Sequence, residues 1–456
     1  MDLFRPHYSF LQTQAWQKQS LNALRYNTSQ VGSVVPMIYG TVRQAVNLIA
    51  FGGYRGPGGG KKGKGVGPLP IGGTSQTAKG GGGGKKGGKK GPPDFSIDVD
   101  FGVCEGPIGG SSSNKVWASA EVTTFGQLPL VAYLGANGQA ADPIYAALGA
   151  EPIHYSGTAH VVAAPMDLGA SPVIPNISFE VTGYFAGTLG SADANPALVV
   201  EHFLTDPQRG AGFPSRCLAN LSNFHDYCDQ VGFGISVSLD AQQTGLEWLG
   251  SFIRILNTAI VWSGDQLHFI PYGDVQVGSW VPDMTAQYIL TDDDFLSDNK
   301  LEGEPELDRA DPVLVTRVNP VDASNWVSME YLDRGNNYNS TVLAKFDQSS
   351  IDAYGLRTGD NMQGKQFADV TPAGIAAQLW LQRLQYIRNT PFKFKLGWKY
   401  SLLEPMDIVL LTGRFGDVYL TNQAMRITSI EEDDNGDLAV EGEHIQQGAA
   451  APTGTG

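Results

Sequence analysis

Two stretches between residues 52 and 91 carry the spacing of a phosphate-gripping loop. Gly58 to Lys64 and Gly83 to Lys89 each read Gly-x4-Gly-Lys. Such a loop cradles phosphates with glycine amides, holds their charge with the lysine, and places a Ser or Thr next to it for magnesium. Here the next residues are Gly65 and Lys90, and neither stretch stands between a strand and an amphipathic helix. Nineteen of the 40 residues from 52 to 91 are glycine, a composition that produces this spacing by chance. Nucleotide binding is therefore not expected. The segment reads as an inert excursion or as a basic loop that meets acidic surfaces or DNA.

Metal and nucleophile chemistry fare no better. His225-x-x-Cys228 has ligand spacing, with Cys217 eleven residues earlier, but a closed zinc site needs a second tight pair. A buried cysteine on an amphipathic helix explains the pattern. Cys104, in Cys-Glu-Gly-Pro, would need a positioned base to act as a nucleophile, and its turn-like setting points to packing. Asp292-Asp293-Asp294 and the acidic run Glu431–Asp437 would hold calcium only if a fixed loop made their oxygens converge, and the second run reads as a hairpin turn. No aromatic-lined cleft pattern accompanies a carboxylate pair, as glycan hydrolysis would require. The sequence nominates no catalytic, cofactor-binding or metal-ligating residue, and no cofactor.

The elements that would position such groups are mostly strands. With 456 residues the chain is long enough for about three domains. Hydrophobic residues make up 42%, with 57 glycines, 8 tryptophans and 17 tyrosines, which favours a β-rich protein. Residues 34–50 form β segments broken at Gly40. Phe95, Ile97, Val99, Phe101 and Val103 alternate with Ser96, Asp98 and Asp100, the pattern of a half-buried strand with the polar set outward. Pro196 opens a short helix closed by Pro207, and residues 218–230 form a second.

A strand, Gly234–Leu239, and a helix with Leu246, Leu249, Ile253 and Leu256 inward then lead into a hairpin turning at Ser263-Gly264-Asp265. Together these read as a β-α-β-β unit. Further on, Thr371-Pro372 reads as an N-cap and first helical residue, with Ile375, Leu379, Leu384 and Ile387 inward. A hairpin turning at Asn435-Gly436 ends the ordered chain. Two β-rich portions thus flank a small α+β portion.

The net charge is −15. Residues 52–91 hold nine basic side chains and no acidic one, so the remainder carries 22 basic against 46 acidic residues, a net of −24. That body does not grip DNA, which requires clustered Lys and Arg. Three cysteines make no disulfide framework. The N-terminus has no apolar signal core and no run is long enough to span a bilayer, so a protein neither secreted by the usual route nor membrane-embedded is expected.

Several ordered stretches resemble the phage tail-tip hub family, which includes the lambda-type tip attachment protein, gene transfer agent relatives and contractile-phage baseplate hubs. Residues 27–54 are similar to its opening, Cys104–Ile108 to the block after a Gly/Lys-rich insert, and residues 116–121 to a Val-Trp strand. Residues 152–181, 195–214, 226–229, Ala259–Tyr272 and Tyr400–Thr412 complete the set, which spans roughly residues 20–445. Many members have Pro-Gly-Asp where this chain has Pro405-Met406-Asp407. Lambda-type members also continue into fibre modules beyond the point reached here.

The resemblance implies an α+β, β-rich protein with two β-barrel-like tube-docking domains flanking a small α+β domain. The corresponding boundaries are an arm at 1–30, a first β-rich domain at 31–194 holding a flexible insert at 52–91, an α+β domain at 195–305, a second β-barrel-like domain at 306–447, and a disordered tail at 448–456. It also implies a non-enzymatic homotrimer, assembled in the host cytoplasm and resident at the virion tail tip. Its expected partners are a distal tail ring protein, the tape-measure protein and fibre or tip proteins on other chains, with phage DNA passing through unbound. The rival expectations are a receptor- or glycan-binding tip module and a tail-associated wall hydrolase.

Overall fold

The computed structural model describes residues 34–55, 69–70, 95–110, 114–118, 121–147, 153–170, 172–190, 192–241, 243–296, 312–316, 319, 323–387, 391–415, 418–445 and 452. The expected arm, both Gly-x4-Gly-Lys stretches and, Pro452 apart, the polar tail lie outside them. The fold is β-rich α+β, as expected. The chain divides into two compact units, Met1–Ala194 with Ser236–Gln243, and Asn195–Ile235 with Thr244–Gly456. Among the described residues no helix is long and apolar enough to cross a membrane.

The first unit contains β1 (Met37–Tyr39), β2 (Thr41–Ala45), β3 (Asn47–Arg55), β4 (Leu69–Pro70), β5 (Phe95–Glu105), β6 (Lys115–Ala118), β7 (Glu121–Thr124) and β8 (Val131–Leu134). The short helix α1 (Pro143–Ala147), β9 (Thr158–Gly169), β10 (Ile177–Thr182) and β11 (Val237–Leu239) follow. One sheet runs β3-β5-β9-β4, with β8 also on β9; a second runs β2-β10-β6-β7. Ile97, Val99, Phe101 and Val103 of β5 enter a core with Ile38, Val116, Phe179 and Val181. Each such side chain contributes on the order of 1.5–3 kcal/mol by leaving water. Strand β11 was expected to join the helix and hairpin after it. It pairs instead with β1, Met37 opposite Leu239. Ser236 beside it accepts from Thr41 N at 3.0 Å and donates to Asp193 at 2.6 Å, tying that edge.

Two expectations for this unit are corrected. Strand β5 is not half-buried: Asp98 is 8% exposed and Asp100 not at all. Its polar face is covered by Ile144 and Tyr145 of α1 together with Tyr133, Tyr155 and Val162. The sheet also holds the start of the Gly/Lys segment. Residues 52–55 belong to β3, with Arg55 opposite Ser96 and its guanidinium donating twice to Asp98, at 3.1 and 3.2 Å. Gly53 makes this possible: it sits at φ +58°, and a Cβ there would lie 2.1 Å from an Asp98 oxygen.

The second unit opens with α2 (Pro196–Thr205), α3 (Ser222–Val231), α4 (Gly245–Ile255) and the hairpin β12 (Thr258–Ser263)–β13 (Gln266–Pro271). Asn195 caps α2 by accepting from Ala197 N, and Pro196 sits at its first position. The hairpin turns as read, through Gly264 and Asp265 at φ +53° and +64°. Thr244 and Glu247 form a reciprocal capping box on α4. The inward face of α4 is Trp248, Leu249, Phe252, Ile253 and Ile255, whereas Leu246, read as inward, is exposed. The aromatic pair at 248 and 252 offers more area to bury, so the face rotates toward it.

The rest comprises β14 (Ala286–Leu290), β15 (Phe295–Leu296), β16 (Val313–Val315), β17 (Trp326–Asp333), β18 (Asn339–Phe346), α5 (Gln348–Tyr354) and β19 (Thr358–Gln363). Then come α6 (Val370–Gln382), β20 (Pro391–Leu396), β21 (Ile408–Phe415), β22 (Val418–Glu432) and β23 (Leu438–His444). A seven-stranded sheet has the order β14-β21-β22-β23-β20-β15, with β16 on β20; a smaller sheet runs β18-β17-β19 and packs one face on α6. The α6 cap is Asp369, accepting from Thr371 N, which places Pro372 two residues into the helix. Aspartate is the stronger cap of the two neighbours. Leu379 is buried as read, and the π-helical turn Arg383–Ile387 extends the helix.

Candidate functional site

A cluster of buried polar side chains in the first unit lies on the covered face of β5 and β9. On this face Asp100 stands opposite Val162, and His160 opposite Gly102, so the two polar side chains meet diagonally. His160 Nδ1 lies 2.9 Å from Asp100 Oδ1, both side chains fully buried. The Tyr145 hydroxyl donates to Asp100 Oδ2 at 2.8 Å and meets the Tyr155 hydroxyl at 2.9 Å. The Tyr133 ring stacks on the imidazole with centroids 4.5 Å apart and planes within 8°.

Burial pushes the Tyr145 hydroxyl far above its ordinary range and the Tyr155 hydroxyl up to about 12, so both remain protonated. Burial also raises the Asp142 carboxyl. The Ile144 amide counters that rise, Asp100 reinforces it and His160 again opposes it.

A carboxylate on Nδ1 is the arrangement that prepares an imidazole to act as a base through Nε2. Here Nε2 is buried and has no hydrogen-bond partner among the described residues, and the Tyr133 ring lies over it. Among the described residues no hydroxyl or thiol is bonded to it, and the group clamps two strands and a helix together. None of these residues stood out in the sequence. Asp100 read as an outward position, and His160 as one residue of an apolar strand.

The residues weighed from the sequence fall in separate places. Cys104, next to last in β5, is fully buried, and burial beside Glu105 pushes its thiol up, away from thiolate chemistry. Cys228 is buried in α3, and burial raises its thiol in the same way. His225, three residues earlier, is 42% exposed and meets Asp226 at 3.3 Å. In the Asp292–Asp294 run Asp294 is engaged by described residues. It accepts from the Thr291 amide and hydroxyl at 2.9 and 3.0 Å, from the Tyr400 hydroxyl, and from Lys399 at 3.4 Å. Partial burial opposes its ionisation, but these donors prevail and hold its pKa at about 2. In the Glu431–Asp437 run, Asp433 caps the β22–β23 turn by accepting from Asn435 N and Asp437 N. Among the described residues no three His, Cys, Asp or Glu converge to hold a metal.

The second unit offers a surface and a cavity. On β18, Val342 and Phe346 are 60% and 53% exposed, with Ala344 between them. Phe346 stands opposite half-buried Trp326 on β17. Lys345, of opposite parity, reaches Gly374 of α6, so the apolar set faces away from that helix. Among the described residues strand β18 is also an edge of its sheet. Separately, a cavity of 160 Å³ is lined by Arg254, Arg383, Trp380 and Tyr272 among others. The Arg383 guanidinium lies 3.6 Å over the Tyr272 ring and reaches Glu443 at 3.4 Å.

Comparison with known proteins gives these features a context. No curated protein matches the sequence. A chain from the virion of a native gene transfer agent particle is 18% identical, with a TM-score of 0.60 over 97% of this chain and 91% of that one. A 43 kDa tail protein of prophage MuSo2 from Shewanella oneidensis is 10% identical, with a TM-score of 0.34 over 78% and 91% of the two chains. A prophage tail protein from Listeria monocytogenes is 9% identical, with a TM-score of 0.29 over 78% and 85%. The shared fold is carried by the first of these. Residues 244–430, from the α4 capping box to within two residues of the end of β22, match the model of the family described as "Putative phage tail protein". Through that region this chain is similar to a phage tail protein family.

Proposed function

We propose that this chain is the structural hub subunit at the tip of a phage tail. Three copies would adapt or close the sixfold tail tube and hold the tape-measure end until DNA ejection. The observation that carries this reading is the fold shared along 97% of the chain with a component of a gene transfer agent virion. A fold alone does not specify a function; the family match over residues 244–430 supplies the tail context.

In this reading the chain is laid out as an arm at 1–30, tube-docking β-domains at 31–194 and 306–447, an α+β domain at 195–305 between them, and a tail at 448–456. Its partners are two further copies, a distal tail ring protein, the tape-measure protein and fibre proteins on other chains, all within the virion. The net charge of −24 outside residues 52–91 suits a surface past which DNA slides without adhering. The buried Asp100–His160–Tyr145 network serves rigidity, and the open face of β18 offers apolar area for assembly.

The test is the position of the chain in an assembled tail. Electron microscopy of tails carrying an epitope on this protein should show three labels at the tip. Labels at the head end, or on peripheral fibres, would exclude the hub.

A further inference from the structure

The cavity beside α6 has no part in the hub reading. Arg254 and Arg383 bring two guanidiniums to its wall, and no carboxylate lines it. Its volume, 160 Å³, is about ten times what one water molecule needs. Ile255, Met362, Ala376 and Leu379 supply apolar walls.

Arg383 is poorly satisfied where it stands. A guanidinium has five donors in a rigid fork. Here one Nη reaches Glu443 at the long distance of 3.4 Å, the ring of Tyr272 covers one face, and the buried Nε has no partner among the described residues. The buried guanidinium of Arg426 donates to the Tyr272 carbonyl at 3.0 Å and adds positive charge nearby. The facing acids are Glu443 and Asp274, against three arginines. Arg254 stacks over Trp380 with 5.6 Å to the ring centroid and is otherwise exposed at the rim. A planar anion entering the cavity would meet the wall that Arg383 forms, where Glu443 holds one Nη only at the long distance of 3.4 Å, and be flanked by Arg254.

We propose that this cavity binds a carboxylate carried on a short apolar stem, with Arg383 gripping the oxygens, Arg254 closing the rim, and the aliphatic walls taking the stem. The aliphatic side chains on one part of the wall favour this class over inorganic phosphate, which would have to shed a tightly held hydration shell against them. The inference stands whether or not the chain is a tail hub.

The test uses the full chain and measures Tm against increasing sodium butyrate, with inorganic phosphate and sodium chloride at matched ionic strength alongside. Butyrate should raise Tm saturably above the chloride control, and phosphate should not. Arg254→Gln, at an exposed position, should shift the midpoint concentration about tenfold upward, as loss of a charged hydrogen bond does. Arg383→Lys, which keeps charge but loses the fork, should abolish saturation; if it fails to fold, Arg254→Gln decides alone. A butyrate response no greater than chloride, or one unchanged in Arg254→Gln, overturns the site. Saturation by phosphate instead of butyrate overturns the carboxylate assignment.

Discussion

The imidazole of His160 and the carboxylate of Asp100 face each other at 2.9 Å across adjacent strands, with neither side chain reaching solvent. Removing one partner leaves the other buried without compensation, and such changes cost about 3–5 kcal/mol. Asp100→Ala should therefore destabilise the protein by about that much, since it also strands the Tyr145 hydroxyl. His160→Ala should cost a similar amount, and the double variant clearly less than the sum. Urea unfolding of all four proteins measures this; strict additivity would show that the pair is not coupled.

Asp142 supplies a pH signature in the same cluster. Its carboxyl pKa is raised in the folded protein, chiefly by burial, so the native state holds that proton more tightly than the unfolded chain does. The associated stability is fully present below the ordinary carboxylate range, about 4, and declines as pH rises through the elevated value. Asp142→Asn fixes the neutral form and keeps an oxygen for the Ile144 amide. The variant should match wild type at acid pH and exceed it at neutral pH. A difference independent of pH in paired melting curves would refute the assignment.

Asp294 behaves in the opposite sense. With its pKa held at about 2, its contribution is present above the unfolded value near 4 and disappears as pH falls toward 2. Its side chain is 17% exposed, so after allowance for solvent screening Asp294→Asn should cost about 1–2 kcal/mol at neutral pH. The gap should close near pH 2. Denaturation at both pH values checks it, and an equal loss at each would point to packing rather than charge.

Met406 occupies the position where many family members have glycine, and its backbone shows why: φ is +80°. Its amide donates to the Ile427 carbonyl at 2.8 Å, fixing that geometry. The strain costs about 1–3 kcal/mol, while burial of the side chain, 8% exposed, returns about 1.5–3 kcal/mol. Met406→Gly should therefore change stability by less than about 1 kcal/mol. Met406→Ile, β-branched at a positive φ, should lose about 2 kcal/mol. Thermal unfolding of the two variants separates these outcomes.

What could be read in the chain was local. The Gly264-Asp265 and Asn435-Gly436 turns, the Pro196 helix start and the alternation of β5 depend on neighbours a few residues away, and each stands where the residues place it. The buried face of β5 was not legible, because the cover over Asp100 comes from Tyr145 and Tyr155, some fifty residues downstream. The cavity wall has the same character: Arg254, Tyr272 and Arg383 are separated in sequence and brought together only by packing. At Asp369 and Thr371 two good caps lie two residues apart, and composition alone did not choose between them.

The register of β3 against β5 sets Arg55 directly opposite Ser96. Both ends of residues 56–94 are thereby pinned at one spot on the sheet. For a flexible loop the closure cost rises only with the logarithm of its length, about 0.6 kcal/mol for each doubling. This site is accordingly a permissive port. Foreign sequence grafted directly after Arg55, such as an epitope or a fluorescent tag, would add mainly loop entropy, with the pairings of β3 to β5 and of β4 to β9 left in place.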